Sequence, residues 1–261
     1  MDKREELIIR QYYARNGLDF NDYLRRNQTG GAKRKEVKYM NKTYILNIEK
    51  CDDRIEIKVM PQPADCGIIF IHDGMANLQS LVFENKKCAK EGLPRKDAGK
   101  TQLNFILYYL RKHKRKYNIK KIIITDKTSI ICKTESIKLA DMYMVTRGDT
   151  WYGKFGFVPL NNEYLHSYNE CKELMAKLKS KAVGEATMKQ IIINAIQSKF
   201  GDSKYLEDRL HYAGLFTKGK FIDTMKKIVD KDCLFYYYIQ NELRKYLRII
   251  PYYSLDFVLI L

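Results

Sequence analysis

Basic and aromatic residues cluster in this sequence, and their combination suits contact with a polyanion. The run Arg111 to Lys121 contains seven Lys or Arg residues and no Asp or Glu, and three tyrosines interleave with it or border it: Tyr108, Tyr109 and Tyr117. Smaller basic groups occur at Arg25-Arg26 and at Lys33 to Lys35. Because cationic side chains contact phosphates and aromatic rings stack on bases, this combination predicts a nucleic-acid face. The alternative is a solvated helix face rich in lysine, since no recognised nucleic-acid motif accompanies the run.

The overall charge agrees with such a partner but has a second explanation. The 261 residues carry 48 Lys and Arg against 31 Asp and Glu, a formal net charge of +17. This excess suits nucleic acid, a phosphorylated cofactor or an anionic surface. An AT-rich genome also gives every protein that it encodes abundant Lys, Ile, Asn and Tyr. This sequence has such a composition, so the excess of lysine is also explained without a polyanionic partner. A hydrophobic fraction of 45% excludes wholesale disorder, and the length allows one elaborated domain or two small ones.

The sequence indicates neither a membrane span, nor export, nor a metal site. It has no stretch of about 20 apolar residues, and no apolar region of a secretory signal follows residues 1–6. The six cysteines stand singly, without a C-x-x-C pair or a histidine at ligand spacing. We therefore expect free thiols in a reducing, cytoplasmic compartment.

The hydrophobic pattern predicts an antiparallel meander in the first half of the chain. Apolar residues alternate on both sides of residues 51–53 within residues 44–59, which predicts a hairpin. A second pair of strands is predicted within residues 66–83, turned at Asp73-Gly74. The run Asn27 to Lys35 before the first hairpin predicts a loop or flexible arm.

From Gly99 the periodicity becomes helical as far as the basic run. The apolar residues Ile122 to Ile124 then predict a buried strand, parallel to an earlier strand because a helix intervenes. Ser136 is the predicted N-cap of a helix that reaches Val145, and residues 154–160 are predicted to be extended. The sequence thus predicts an α/β (α+β) fold with a mixed sheet that contains an antiparallel meander and one parallel crossover.

Beyond Pro159 the pattern predicts a helical extension. Its helices are expected at Asn162 to Lys181, Glu185 to Lys199, Lys204 to Tyr212 and Phe221 to Leu247. The last ten residues are apolar but too short to span a bilayer, so a late strand or a buried tail is expected. The aromatic run Phe235 to Tyr238 and the pair Tyr252-Tyr253 are expected either in the core or at a partner interface.

The most distinctive segment is Gly148 to Pro159, which holds the only tryptophan. Its Tyr152-x-x-x-Gly156-Phe157 spacing resembles the motif of the GNAT superfamily of N-acetyltransferases. The longer sequence of this segment is similar to a variant of the motif in proteins of large DNA viruses. The resemblance implies a GNAT-like domain over residues 37–160, with N-terminal helices and a basic arm in residues 1–36 and the extension in residues 161–261 packed on it. In that family the tyrosine protonates the departing coenzyme A thiolate, which implies a catalytic role for Tyr152.

The resemblance also implies acetyl-CoA as the cofactor and an amine as the acyl acceptor. The family receives the CoA diphosphate on loop amides before a helix, and the corresponding residues here are Arg95, Lys96, Ala98, Gly99, Lys100 and Thr101. Ala98 stands where the family has a glycine, and Asp97 adds a negative charge. The wording Gly99-Lys100-Thr101 is also similar to the end of a Walker A loop, but the first glycine of such a loop would fall at Pro94.

A general base is expected where the last meander strand leads into this loop, at Glu84, with His72 and Asp73 as neighbouring candidates. Three functions stay open at this point. The chain is an acetyl-CoA-dependent N-acetyltransferase, a catalytically inactive GNAT-like viral structural or interaction protein, or a basic nucleic-acid-binding protein. The viral alternative would place it in the host cytoplasm or in the virion.

Overall fold

The computed structural model of the chain describes seven stretches: residues 32–51, 53–60, 67–81, 95–178, 184–197, 211–215 and 220–261. Its fold is mixed α/β, as the sequence predicts. The described residues form two compact units. Unit 1 comprises those up to Ile123 together with Ile260 and Leu261, and unit 2 comprises Ile124 to Leu259. The divisions expected near residues 36 and 160 stay predictions.

Unit 1 begins with a meander of antiparallel strands. These are β1 (Lys33–Tyr39), β2 (Lys42–Lys50), β3 (Ile55–Met60), β4 (Gly67–His72) and β5 (Met75–Leu81), each paired with the next. Both predicted hairpins are confirmed. Strand β1 is an addition, and it corrects the prediction that residues 33–35 belong to a flexible arm. Met40 and Asn41 both have positive φ angles, the geometry of a tight two-residue turn, so β1 folds back onto β2 along its whole length.

The meander is covered by helix α1 (Arg95–Lys112) and followed by strand β6 (Lys121–Thr125). Alternate residues of β3 and β4 are buried, and so are Phe105, Ile106 and Leu110 of the helix. A Cβ on Gly67 would lie 3.2 Å from Ile106 Cδ1, so the helix packs closely against β4. The carbonyl of Gly74, just before β5, accepts the N–H of Lys120 at 2.7 Å, just before β6. The two strands therefore start at the same end, which confirms the predicted parallel crossover.

Unit 2 contains the remaining elements. They are β7 (Ser129–Cys132), β8 (Glu135–Lys138), α2 (Leu139–Arg147), a short 3₁₀ helix (Gly153–Phe155), β9 (Val158–Pro159), α3 (Asn162–Leu178), α4 (Glu185–Gln197), α5 (Phe221–Lys231), α6 (Cys233–Leu247) and β10 (Asp256–Ile260). The late strand is confirmed, and β10 runs antiparallel to β9. Residues 154–160 are only partly extended, because the 3₁₀ turn precedes β9. Of the predicted helix at residues 204–212, residues 204–210 lie outside the described part of the chain.

Three predictions in unit 2 are corrected. Ser136 lies inside β8 and caps no helix, because Ile130, Ile131 and Ile137 favour a β7–β8 hairpin and α2 starts only at Leu139. The single helix expected up to Leu247 divides at Asp232, whose carboxylate accepts the N–H of Phe235 at 3.0 Å and so caps α6.

The third correction concerns the cysteines. Cys132 of β7 and Cys233 of α6 form a disulfide across 101 positions of sequence, whereas Cys51 and Cys171 are free. Within the described residues, no helix is long and apolar enough to cross a membrane. The described His, Cys, Asp and Glu side chains also form no group of three or more that would hold a metal ion.

Candidate functional site

Two basic segments of unit 1 that are far apart in sequence come together. We call this surface the basic face; it comprises Lys33 and Lys35 of β1 and Arg111, Lys112, Lys114, Arg115 and Lys116 at the end of α1, together with His113 and the rings of Tyr39, Tyr108 and Tyr117. The two segments meet where Lys35 Nζ lies 3.2 Å from His113 Nε2. The same ammonium lies 5.4 Å from the centroid of the Tyr109 ring. Lys33 and Lys35 therefore share one surface with the positive charges of the helix end.

Local structure explains why these side chains face solvent. In β1 the side chains alternate, so that Lys35 and Tyr39 lie on the side of α1, whereas Arg34, Glu36 and Lys38 are exposed on the other side. Helix α1 ends at Lys112, and the chain continues through a turned segment in which Ile119 N–H donates to the Lys114 carbonyl at 2.8 Å. Ile119 is buried at 4% exposure and anchors this segment. The cationic residues before it are left on the outside.

Tyrosine rings lie among the cations of the basic face. The rings of Tyr39 and Tyr108 are 4.9 Å apart, and Lys112 Nζ lies 5.6 Å from the Tyr108 ring. Lys116 Nζ lies 5.2 Å from the centroid of the Tyr117 ring, and the Tyr117 hydroxyl lies 3.1 Å from the Tyr109 hydroxyl. Tyr109 is fully buried and is a core residue, whereas the other three are half-buried. The half-buried rings offer surfaces on which a planar group can stack.

The surroundings of His113 lower the pKa of its imidazole. Partial burial is the main cause that lowers its pKa, and the nearby charges of Lys35, Lys116 and Lys112 lower it further. A hydrogen bond between His113 Nδ1 and the Tyr109 carbonyl, at 2.9 Å, acts in the opposite direction. A phosphate bound here would reverse this balance, because an anion favours the charged imidazolium. An anion that binds beside this imidazole would therefore favour uptake of a proton by His113.

The predicted cofactor residues occupy a different element from the one expected. Helix α1 begins at Arg95, so the segment 95–101 is helix and not the predicted loop. The amides of Gly99, Lys100 and Thr101 lie beyond the first turn and donate to carbonyls four residues earlier. Only the first turn, which includes Arg95, Lys96 and Ala98, has amides without such partners. Nothing is described of those three side chains, and Glu84 lies outside the described residues.

Tyr152 lies in the interior of unit 2. It is 3% exposed, and the rings of Trp151, Phe157 and Phe257 surround it with centroids 4.8, 6.1 and 6.4 Å away. Burial raises its pKa, and the charge of Asp126 raises it further. A phenol in this position is a poor proton donor to a thiolate that arrives from solvent. Its predicted role as an acid stays a prediction, which this environment does not support.

The segment around Tyr152 is accounted for by structural contacts. Gly148 and Gly156 have φ angles of 77° and 90°, and they end α2 and the 3₁₀ helix. The Asp149 carboxylate accepts the Tyr168 hydroxyl and lies 2.8 Å from Lys172 Nζ. A Cβ on Gly153 would lie only 2.6 Å from Asp149 Cγ. The geometry of this turn therefore explains the spacing of its glycine, aromatic and acidic residues.

Two buried carboxylates of unit 2 were not singled out from the sequence. Asp126 and Asp141 are 0% and 1% exposed, and burial raises the pKa of each. Asp126 accepts the Thr128 N–H at 2.9 Å, and Asp141 accepts the Tyr252 N–H at 3.0 Å. Both fasten loops to the core. In the basic face, Tyr39 was also missed, because only strand pairing brings β1 to the helix end.

No protein-family model, curated protein or solved structure matches this chain.

Proposed function

We propose that this protein binds single-stranded nucleic acid through the basic face of unit 1. The observation that carries the proposal is the contact of Lys35 with His113, which joins two cationic segments 78 residues apart into one surface. A chance excess of lysine would spread over the molecule. Here seven Lys and Arg residues lie among the eleven residues 111–121, which include no acid, beside the lysines of β1.

The tyrosines favour a single strand over a duplex. Bases stack on aromatic side chains only when they are unpaired and accessible, whereas a duplex presents mainly its phosphates. Tyr39, Tyr108 and Tyr117 lie within the basic face and keep part of their rings exposed. The cations would track the phosphates, and the rings would receive two or three bases.

The test uses a fluorescent oligothymidylate of about twenty nucleotides, titrated with the full chain while the anisotropy is followed. We expect binding that weakens steeply as salt rises, because cations released from the strand drive the association. A duplex of equal length should bind more weakly at the same salt concentration. Binding that is indifferent to salt, or equal for both forms, would contradict the proposal.

A second candidate is the acetyl-CoA-dependent transfer of an acetyl group to an amine. Its support is the order of elements, in which a meander, helix α1, the parallel strand β6, helix α2 and the segment Tyr152 to Phe157 follow one another as in the family that the sequence resembles. The residues expected to hold the cofactor do not fit it as predicted, since Gly99 to Thr101 lie within α1. Thermal stabilisation by acetyl-CoA that survives loss of the basic face would favour this candidate.

A further inference from the structure

A cavity of about 660 Å³ lies between α2 and α5, and all the residues that line it belong to unit 2. Its volume falls in the range of about 300 to 1,000 Å³ that small-ligand sites occupy. Buried Met142 and Ile222 contribute apolar surface. The residues that give it chemical character are Tyr143, Arg147, Lys220, Asp223, Lys226 and Asp230. The cavity therefore offers an apolar surface together with charged groups.

The lining of the cavity includes an aromatic ring with two cations near it. Tyr143 is half-buried, and the Arg147 guanidinium carbon lies 4.2 Å from its ring centroid. Lys154 Nζ lies 5.9 Å from the same ring and 4.8 Å from that of Trp151. An arginine stacked on a ring keeps its N–H groups available at the edge of the guanidinium plane. The pair can thus contact a planar group and an anion side by side.

The charges around the cavity favour an anion at the Arg147 end. Lys226 and Asp223 lie 3.6 Å apart and largely offset each other. Arg147 and Lys220 then face a single acid, Asp230, among the lining residues, and Lys154 adds a further positive charge nearby. A guanidinium binds phosphate oxygens through two parallel hydrogen bonds. The carboxylate of Asp230 can accept hydrogen bonds from amino or hydroxyl groups of the same ligand.

We propose that this cavity binds a mononucleotide. The base contacts the Tyr143 ring and the apolar side chains of Met142 and Ile222, the phosphate is held by Arg147 and Lys220, and Asp230 accepts a hydrogen bond from a donor of the ligand. A simple inorganic anion would use only the basic end and leave the ring and most of the volume without contact. The site does not depend on the nucleic-acid face of unit 1.

The test is calorimetric titration of the full chain with adenosine 5′-monophosphate and, separately, with inorganic phosphate. We expect the nucleotide to bind at least tenfold more tightly than phosphate, because only the nucleotide reaches the ring. Arg147→Gln should weaken nucleotide binding about tenfold or more, as loss of a charge-assisted hydrogen-bonding partner does. Arg147→Lys keeps the charge but loses the planar guanidinium, so its affinity for the nucleotide should lie between those of the wild type and Arg147→Gln. Tyr143→Leu should abolish the preference for the nucleotide over phosphate.

Two controls separate this site from general electrostatics. Lys227→Gln removes the same charge from the exposed surface of α5, outside the cavity lining, and should leave the affinity unchanged within twofold. A basic-face variant, Lys114→Gln with Arg115→Gln, should also retain nucleotide binding. Equal binding by wild type and Arg147→Gln, each with an unchanged unfolding midpoint, would overturn the proposal. Loss of nucleotide binding in the basic-face variant alone would overturn it as well.

Discussion

Removing two charges from the basic face should change both the strength and the salt dependence of oligonucleotide binding. We choose Lys114→Gln together with Arg115→Gln, because both side chains are exposed in the turned segment after α1. Each phosphate contact to a single strand contributes about 0.7 to the slope of log affinity against log salt, so the slope should fall by about 1.4. If the two contacts contribute nothing at 1 M salt, the loss of affinity is about 25-fold at 0.1 M and about fivefold at 0.3 M.

The assay is anisotropy of labelled oligothymidylate at four or more salt concentrations between 0.1 and about 0.4 M, the range in which the slope is determined. The matched control is Lys227→Gln with Lys231→Gln, which removes the same net charge from exposed positions of unit 2. We expect the control to keep the wild-type slope. An identical loss in both double variants would refute the reasoning, because it would mean that net charge, and not this surface, determines binding.

Three further outcomes follow from the described contacts. Oligonucleotide affinity should rise as pH falls from 7.5 to 5.5, because a bound phosphate raises the pKa of His113. Each unit of that rise in pKa corresponds to about a tenfold gain in affinity. In anisotropy titrations at each pH, His113→Gln should abolish this dependence. Cys132→Ser should lower the free energy of unfolding by about 4 to 5 kcal/mol without reductant, since the crosslink spans about 100 residues, and should match the wild type with reductant; Cys51→Ser, at a free cysteine, is the control. Gly153→Ala should cost about 1 to 3 kcal/mol in chemical denaturation because its Cβ would overpack the turn, whereas Gly184→Ala, with its nearest neighbour 3.9 Å away, should cost much less.

Most of the regular elements could be predicted from the sequence because their signals are local. Alternation with a period of two marks the strands of the meander, and the spacing of Leu103, Ile106 and Leu110 marks the buried side of α1. The parallel direction of β6 also followed, since a helix between two neighbouring strands forces a crossover. Charge clustering in residues 111–121 was likewise visible in the sequence alone.

Errors arose where two local signals compete. Residues 33–35 look like a mobile basic arm, yet pairing with β2 makes them a strand. Ser136 has the chemistry of a helix cap, but the isoleucines around it favour the β7–β8 hairpin, and the helix begins three residues later. Propensity is a weak guide wherever tertiary pairing satisfies the backbone in another way.

The α/β class, the meander and the crossover could be predicted because each depends on residues that are neighbours along the chain, and the excess of positive charge is a property of the composition. The contact of Lys35 with His113, the disulfide of Cys132 with Cys233 and the enclosure of Tyr152 by aromatic rings are seen only in the folded chain. Such contacts join residues tens of positions apart or depend on burial, and no local spacing encodes them. They require the strand order and packing that the whole chain adopts.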